Sequence, residues 1–202
     1  MRKSGESACS SKLQCEKVDF LKKMNKPASY RITKYDPSQR DEWGAYIPQA
    51  WTSAADVGKQ FPQGKLTLEI YLNVEKAYLN AALSLWKLAK CPRIQILGLE
   101  KAELSRAKLK HEPELVAVLD NGASPEEGQV LCEQTEIERV IKLVLREYIW
   151  CRLESSKGFF LHFGWDYYMY CGGVQLNSQL RDEIMNSGLF VEDFDSPYLD
   201  SR

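Results

Sequence analysis

Residues 158–173 read GFFLHFGWDYYMYCGG, and this stretch decides the fold. Two runs rich in aromatic residues flank the turn sequence GWD, and glycines bound the whole stretch. Aromatic residues are enriched in strands, and glycine and aspartate are typical of the turns that join them. The stretch therefore predicts a β-hairpin, in which alternate residues of the first run lie on opposite faces: Phe159, Leu161 and Phe163 on one, Phe160 and His162 on the other.

Two further strands and three helices are predicted around the hairpin. Residues 30–35 and 93–99 are rich in strand-forming residues. Apolar residues spaced i, i+3, i+4 predict two long helices over about residues 67–90 and 135–152, with Thr67 as the cap of the first and a capping box, TEIE, opening the second. A last helix over residues 178–186 is expected to end at Gly188. Together these elements predict an α+β fold, with a mixed or antiparallel sheet of about four to five strands and two long flanking helices.

The chain of 202 residues fits one ordinary domain with a tail at each end. Residues 1–34 carry nine basic and three acidic side chains, and the first 26 residues lack apolar periodicity. We therefore predict a polar basic arm over residues 1–26, disordered or loosely docked, before a single α+β domain over residues 27–190. Residues 191–202 are predicted to form an acidic tail.

The bulk composition argues against several functional classes. The formal net charge is −1, so no global field attracts nucleic acid or an anionic membrane. No apolar run approaches the roughly 18 residues of a membrane-spanning helix. No apolar stretch follows the basic start of the chain, as a secretion signal would require. We expect a cytoplasmic protein that makes no membrane contact.

Motifs for cofactors, metals and catalysis are missing from the sequence. The six cysteines lack the C-x-x-C spacing of zinc and redox sites, and they are expected to be reduced thiols. No phosphate-binding glycine loop, nucleophile elbow or metalloprotease motif occurs. We predict no cofactor and no metal site, and the balance of these observations favours a binding protein over an enzyme.

One alternative is a small hydrolase or nuclease-like enzyme built on His162. Histidine is scarce, with only His111 and His162 in the chain. A histidine beside a carboxylate can act as a general base near neutral pH. The candidate carboxylates are Asp166, which follows the first hairpin strand, and Glu147, near the end of the second long helix. Turn formation by Asp166 and a structural role for His162 are the competing interpretations.

The candidate binding residues are aromatic and acidic. Tyrosine and tryptophan are typical interface anchors, and about half of the hairpin rings are expected to face outward. Acidic and aromatic residues alternate near the C-terminus, where they could steer and anchor a basic partner. The predicted contact residues are Trp165, Tyr168, Glu192, Asp193, Phe194 and Asp195. A solvated acidic tail is the competing interpretation.

A second alternative, binding of nucleic acid, would depend on the basic arm. Stacking of bases on aromatic rings needs a basic groove, and residues 158–173 contain no lysine or arginine. A protein partner is the better prediction.

Five segments resemble a family of small uncharacterised bacterial proteins. They are ITKYDP at 32–37, EWGAY at 42–46, WTSAADVG at 51–58, LREYIWC at 145–151 and HFGWDYYMY at 162–170. The resemblance covers roughly residues 28–173 and implies no catalytic residue. Proteins of this kind are similar in size and style to the immunity proteins encoded beside bacterial toxins, by analogy of type. The resemblance thus implies a bacterial protein-binding module, whose partner in the immunity case would be a cognate toxin domain.

Overall fold

The computed structural model describes residues 28–101, 124–164 and 166–199. The predicted basic arm, His111 and Trp165 lie outside these described residues. The helices are α1 (Leu68–Leu88), α2 (Gln134–Leu145) and α3 (Ser178–Asn186), with 3-10 turns at Pro37–Gln39 and Ala54–Asp56. The strands are, in chain order, β1 (Ser29–Thr33), β2 (Gln60–Phe61), β3 (Gly64–Lys65), β4 (Ile94–Lys101), β5 (Val130–Leu131), β6 (Ile149–Glu154), β7 (Phe160–Phe163), β8 (Tyr168–Gly172) and β9 (Phe190–Asp193).

Seven strands form one antiparallel sheet in the order β5-β4-β6-β7-β8-β1-β9, and β2 and β3 form a separate ribbon. The α+β class and the central hairpin of β7 and β8 are confirmed, with Leu161 opposite Cys171 and His162 opposite Tyr170. The prediction of four to five strands is wrong. The additional strands are β5, β6 and β9. Strands β5 and β9 are short, and β6 lies where a helix was predicted, so local sequence patterns did not distinguish these strands from turns or helix.

The prediction of two long flanking helices is also wrong. Helix α1 has 21 residues, but α2 has 12 and ends at Leu145. Glu147 then adopts a left-handed backbone with φ of 60°, which turns the chain away from the helix axis. Residues 149–154 continue as β6, in which buried Ile149, Cys151 and Leu153 alternate with partly exposed residues. That period of two is the pattern of a strand with one face in the core.

The helices pack on one face of the sheet and bury a single core. Fully buried residues of this core include Tyr71 and Tyr78 from α1 and Ile137 and Ile141 from α2, together with strand residues Ile32, Ile96, Leu153, Leu161 and Met169. The hydroxyl of Tyr78 accepts a hydrogen bond from the Lys34 amide and donates to the Tyr167 carbonyl. This ring therefore connects α1 to both the end of β1 and the hairpin turn.

The opposite face of the sheet, here called the open face, carries polar and aromatic side chains. A C-terminal segment, residues 194–199, crosses it. The Tyr198 ring lies against the rings of Trp150, His162 and Tyr170, and Ser196 is buried. Strand β9 precedes this segment and pairs with β1, so residues 191–193 belong to the sheet edge.

Candidate functional site

A cavity of about 160 Å³ opens at one end of the sheet. The last residues of β4 and β7 and the first residues of β6 and β8 reach it, and the C-terminal end of α2 forms one wall. Its apolar lining consists of Tyr78, Val144, Leu145, Ile149, Trp150, Phe163, Tyr167 and Met169. Its polar lining consists of Thr52, Glu100, Lys101, Glu147, Asp166 and Tyr168. Concave apolar sites with a few polar groups are where small ligands bind.

The backbone at the rim of this cavity is strained. Four non-glycine residues among those described have a positive φ, and three of them line the cavity: Glu147 (60°), Asp166 (62°) and Tyr167 (63°). The left-handed region costs an L-residue roughly 1 kcal/mol or more, and such residues cluster at functional sites.

The turn that carries Asp166 is held by bonds on both sides. The Gly164 amide donates to the Tyr168 carbonyl over 2.7 Å. The buried Tyr167 hydroxyl donates to the Leu145 carbonyl over 2.8 Å, and the Tyr167 carbonyl accepts from Tyr78 over 2.6 Å. These bonds offset the strain and hold the backbone at Gly164, Tyr167 and Tyr168, next to the exposed side chain of Asp166.

The described residues of the cavity rim carry more negative than positive charge. Among those that line the cavity, three are carboxylates, Glu100, Glu147 and Asp166, and one is an ammonium, Lys101. The Glu147 carboxylate accepts a hydrogen bond from Ser53 Oγ over 2.8 Å. The Lys101 ammonium donates to Ser124 Oγ over 2.8 Å.

Lys34 lies beside this rim in an aromatic setting. Its ammonium donates to the Trp51 carbonyl over 2.6 Å and lies 4.0 Å and 4.1 Å from the ring centres of Tyr35 and Trp51. Burial lowers the pKa of Lys34 to about 7, and the charges of Asp166 and Asp56 offset only part of that effect. Sequence reasoning missed this group, because nothing near it in sequence marks its burial.

A buried ion pair joins α1 to the end of α2. Arg146 Nε and Nη2 donate to the two Glu75 oxygens over 2.6 Å and 2.7 Å, and each side chain is 4% exposed. Burial acts to lower the pKa of Arg146, but the hydrogen bonds to Glu75 and its charge outweigh burial and raise it. The pair orients the chain just before Glu147, so it positions one wall of the cavity.

His162 lies on the open face and has different partners from those predicted. It is fully buried, with Nδ1 2.7 Å from Ser196 Oγ and Nε2 3.2 Å from Glu154 Oε1. Asp166 and Glu147 come together at the cavity, and His162 does not line it. Ser196, His162 and Glu154 are connected by hydrogen bonds and are the same kinds of group as in the catalytic triad of a hydrolase. In such a triad the serine bonds Nε2 of the histidine. Here serine bonds Nδ1 and is 5% exposed, so these side chains hold the C-terminal segment on the sheet.

The thiols of Cys151 and Cys171 are poor nucleophiles. Cys91, Cys132, Cys151 and Cys171 are free. Burial raises the pKa of Cys151 and of Cys171 to about 12, and the thiolate is the reactive form.

Three of the predicted binding residues meet on the open face. Arg31 makes a bidentate ion pair with Glu192, at 2.8 Å and 2.9 Å, and its guanidinium lies over the rings of Phe194 and Tyr168. Asp193 lies apart from this group, on the sheet edge, where it pairs with Arg181. Asp195 is exposed.

The most exposed large apolar side chain among the described residues was not a predicted site residue. Trp43 is 86% exposed at the tip of a tight turn, residues 40–46, here called the Trp43 turn. Asp41 Oδ1 accepts from the amides of Trp43 and Ala45, and the Asp41 amide donates to the Ala45 carbonyl. Arg40 fixes the turn to the open face through Tyr168 Oη and Glu192. The signal available in the sequence was a tryptophan directly before a turn glycine.

Comparison of the chain with protein-family models, curated proteins and solved structures finds no match. Within the part of the chain that the structure describes, every helix is too short or too polar to cross a membrane. Among residues 28–101, 124–164 and 166–199, no group of three or more His, Cys, Asp or Glu side chains could hold a metal ion.

Proposed function

We propose that this chain is a protein-binding module that docks through the Trp43 turn and the adjoining open face. The 86% exposure of Trp43, on a turn held by several hydrogen bonds, carries the proposal. A turn whose backbone is already held by hydrogen bonds loses little backbone entropy on binding. Tryptophan is also among the residues that dominate interface energies.

Neighbouring side chains support an extended surface. Ile47, directly after the turn, is 69% exposed, and Phe194 is 42% exposed. Arg40 and Arg31 both bond Glu192, and the Arg31 guanidinium lies over the Phe194 ring, so these contacts connect the turn to Phe194. Apolar anchors within a polar rim are the usual arrangement of a protein interface.

The charge of this surface favours a basic partner. Asp41 and Glu42 are exposed in the turn, and Asp195 is exposed in the C-terminal segment. Complementary charge speeds association and rejects acidic partners. The specific form of the proposal is a bacterial immunity protein that neutralises a basic toxin domain in the cytoplasm, in keeping with the family resemblance.

The test is binding to the product of the adjacent gene, measured by calorimetry for the wild type and for Trp43→Ala. Loss of an interface anchor is expected to weaken binding by roughly 2 kcal/mol, or about thirtyfold. Met185→Ala is the matched control, because Met185 is 48% exposed on α3. Absence of binding by the wild type, or equal weakening by the two changes, would contradict the proposal.

A further inference from the structure

We propose that the cavity at the end of the sheet binds a small organic amine, with a ring-sized apolar body inside and a protonated amino group at the rim. This site is separate from the anchors of the proposed protein interface, since neither Trp43 nor Ile47 lines it. A failure of either proposal therefore leaves the other standing.

The size of the cavity selects the body of the ligand. An apolar cavity of roughly 150 Å³ binds benzene, and this one measures about 160 Å³. Its walls include the rings of Trp150 and Phe163 and the side chains of Leu145 and Met169. One aromatic ring or a short branched alkyl group fits this space.

The charge of the rim selects the head group. Asp166 and Glu100 are exposed at the rim, where they can meet the head group of a ligand whose body is buried. Of the cations that the structure describes nearby, Lys101 donates its hydrogen bond to Ser124 and Lys34 donates its own to the Trp51 carbonyl. A protonated amine is thus attracted to this opening and a carboxylate is repelled.

The strained backbone is an independent indication of a functional site. Asp166 and Tyr167 are consecutive left-handed residues, and Glu147 adopts the same conformation across the cavity. A glycine at these positions would remove the strain. The chain instead keeps a carboxylate at two of the three positions, with both at the rim.

The test uses three probes of similar size and different charge: 2-phenylethylamine, 2-phenylethanol and 3-phenylpropanoate. The reporter is the Trp150 indole N–H, which donates to the Phe163 carbonyl at the cavity over 2.7 Å. Its ¹H–¹⁵N signal is followed during titration of the full chain. The amine is expected to bind with a Kd of about 1 mM, the alcohol several times more weakly and the acid most weakly.

Asp166→Asn removes the charge and keeps a residue type that tolerates the left-handed region. It is expected to weaken amine binding about two- to fivefold and to leave alcohol binding unchanged. Glu183→Gln, on α3 and outside the cavity lining, is the charge control and should change neither. Val144→Phe fills the cavity and should abolish binding of all three probes.

Three results would overturn the proposal. They are no shift of the Trp150 signal with any probe at about ten times the expected Kd, acid binding as tight as amine binding, and an unchanged amine preference in Asp166→Asn. If Val144→Phe does not fold, the Asp166→Asn comparison decides alone.

Discussion

Removing the guanidinium of Arg146 should destabilise the protein strongly, because it would leave the Glu75 carboxyl group without its cation inside the core. The two side chains are each 4% exposed and are joined by two bonds of 2.6 Å and 2.7 Å. A hydrogen bond to a charged group contributes roughly 1.5–3 kcal/mol, so two account for about 3–6 kcal/mol. Breaking a buried pair by losing one partner costs about 3–5 kcal/mol, which agrees. We expect Arg146→Met to lower the free energy of unfolding by about 3–5 kcal/mol relative to the wild type.

The control is the double variant Glu75→Leu with Arg146→Met, which removes both charges and keeps much of the volume. Replacing a buried ion pair by apolar residues is often neutral or stabilising. The double variant should therefore lie within about 1 kcal/mol of the wild type, although the Tyr71 hydroxyl loses Glu75 as a partner.

The double-mutant cycle also needs the single variant Glu75→Leu. Urea unfolding of the wild type, the two single variants and the double variant, followed by tryptophan fluorescence, gives the coupling energy between the two side chains. A loss below about 1 kcal/mol in Arg146→Met, or a double variant no more stable than Arg146→Met, would refute this reasoning.

The remaining predictions concern three other buried groups. Burial lowers the pKa of Lys34 in the folded protein to about 7, below the 10.5 of an exposed lysine. Between pH 7 and pH 10.5 the unfolded chain therefore binds more protons than the folded protein, and stability rises with pH in this range. The Lys34→Met variant lacks this titration, so the stability of the variant relative to the wild type should fall between pH 7 and pH 10. If the difference in thermal unfolding between the two proteins is the same at both pH values, the pKa of Lys34 is not lowered. Tyr78→Phe leaves the Lys34 amide and the Tyr167 carbonyl without their shared partner and should cost about 2–3 kcal/mol in urea unfolding; a cost near zero would mean that these bonds are not formed. Ser196→Ala should increase amide hydrogen exchange across residues 194–199, because His162 and the Tyr198 amide both lose the Ser196 hydroxyl; unchanged protection would show that other contacts hold the segment.

Elements with a strong local pattern were predictable. Helix α1 begins after Thr67, whose hydroxyl accepts from the Ile70 amide as expected. Helix α3 spans residues 178–186, and Gly188 follows with φ of 89°. In the hairpin, the turn residues and the alternating residues of the strands lie within a few positions of each other. Neighbouring residues are therefore enough to predict it.

The segment from residue 146 to residue 154 shows where local pattern failed. Its apolar residues extend the helical stripe of α2, but Ile149, Cys151 and Leu153 also fit a strand with a period of two. Pairing with β4 on one side and β7 on the other selects the strand. The start of α2 was also displaced, since its capping box uses Glu133 and Glu136 rather than residues 135–138.

By itself the sequence determined the α+β class and the central hairpin, because composition and short-range periodicity carry this information. Only the tertiary structure decided the seven-stranded order, the partners of His162 and the cavity. The cavity draws its lining from α1, α2, four strands and three connecting loops, spread from Thr52 to Met169. Contacts between segments so far apart in the chain depend on which strands pair and how the helices pack on them. Short-range sequence patterns do not determine that arrangement.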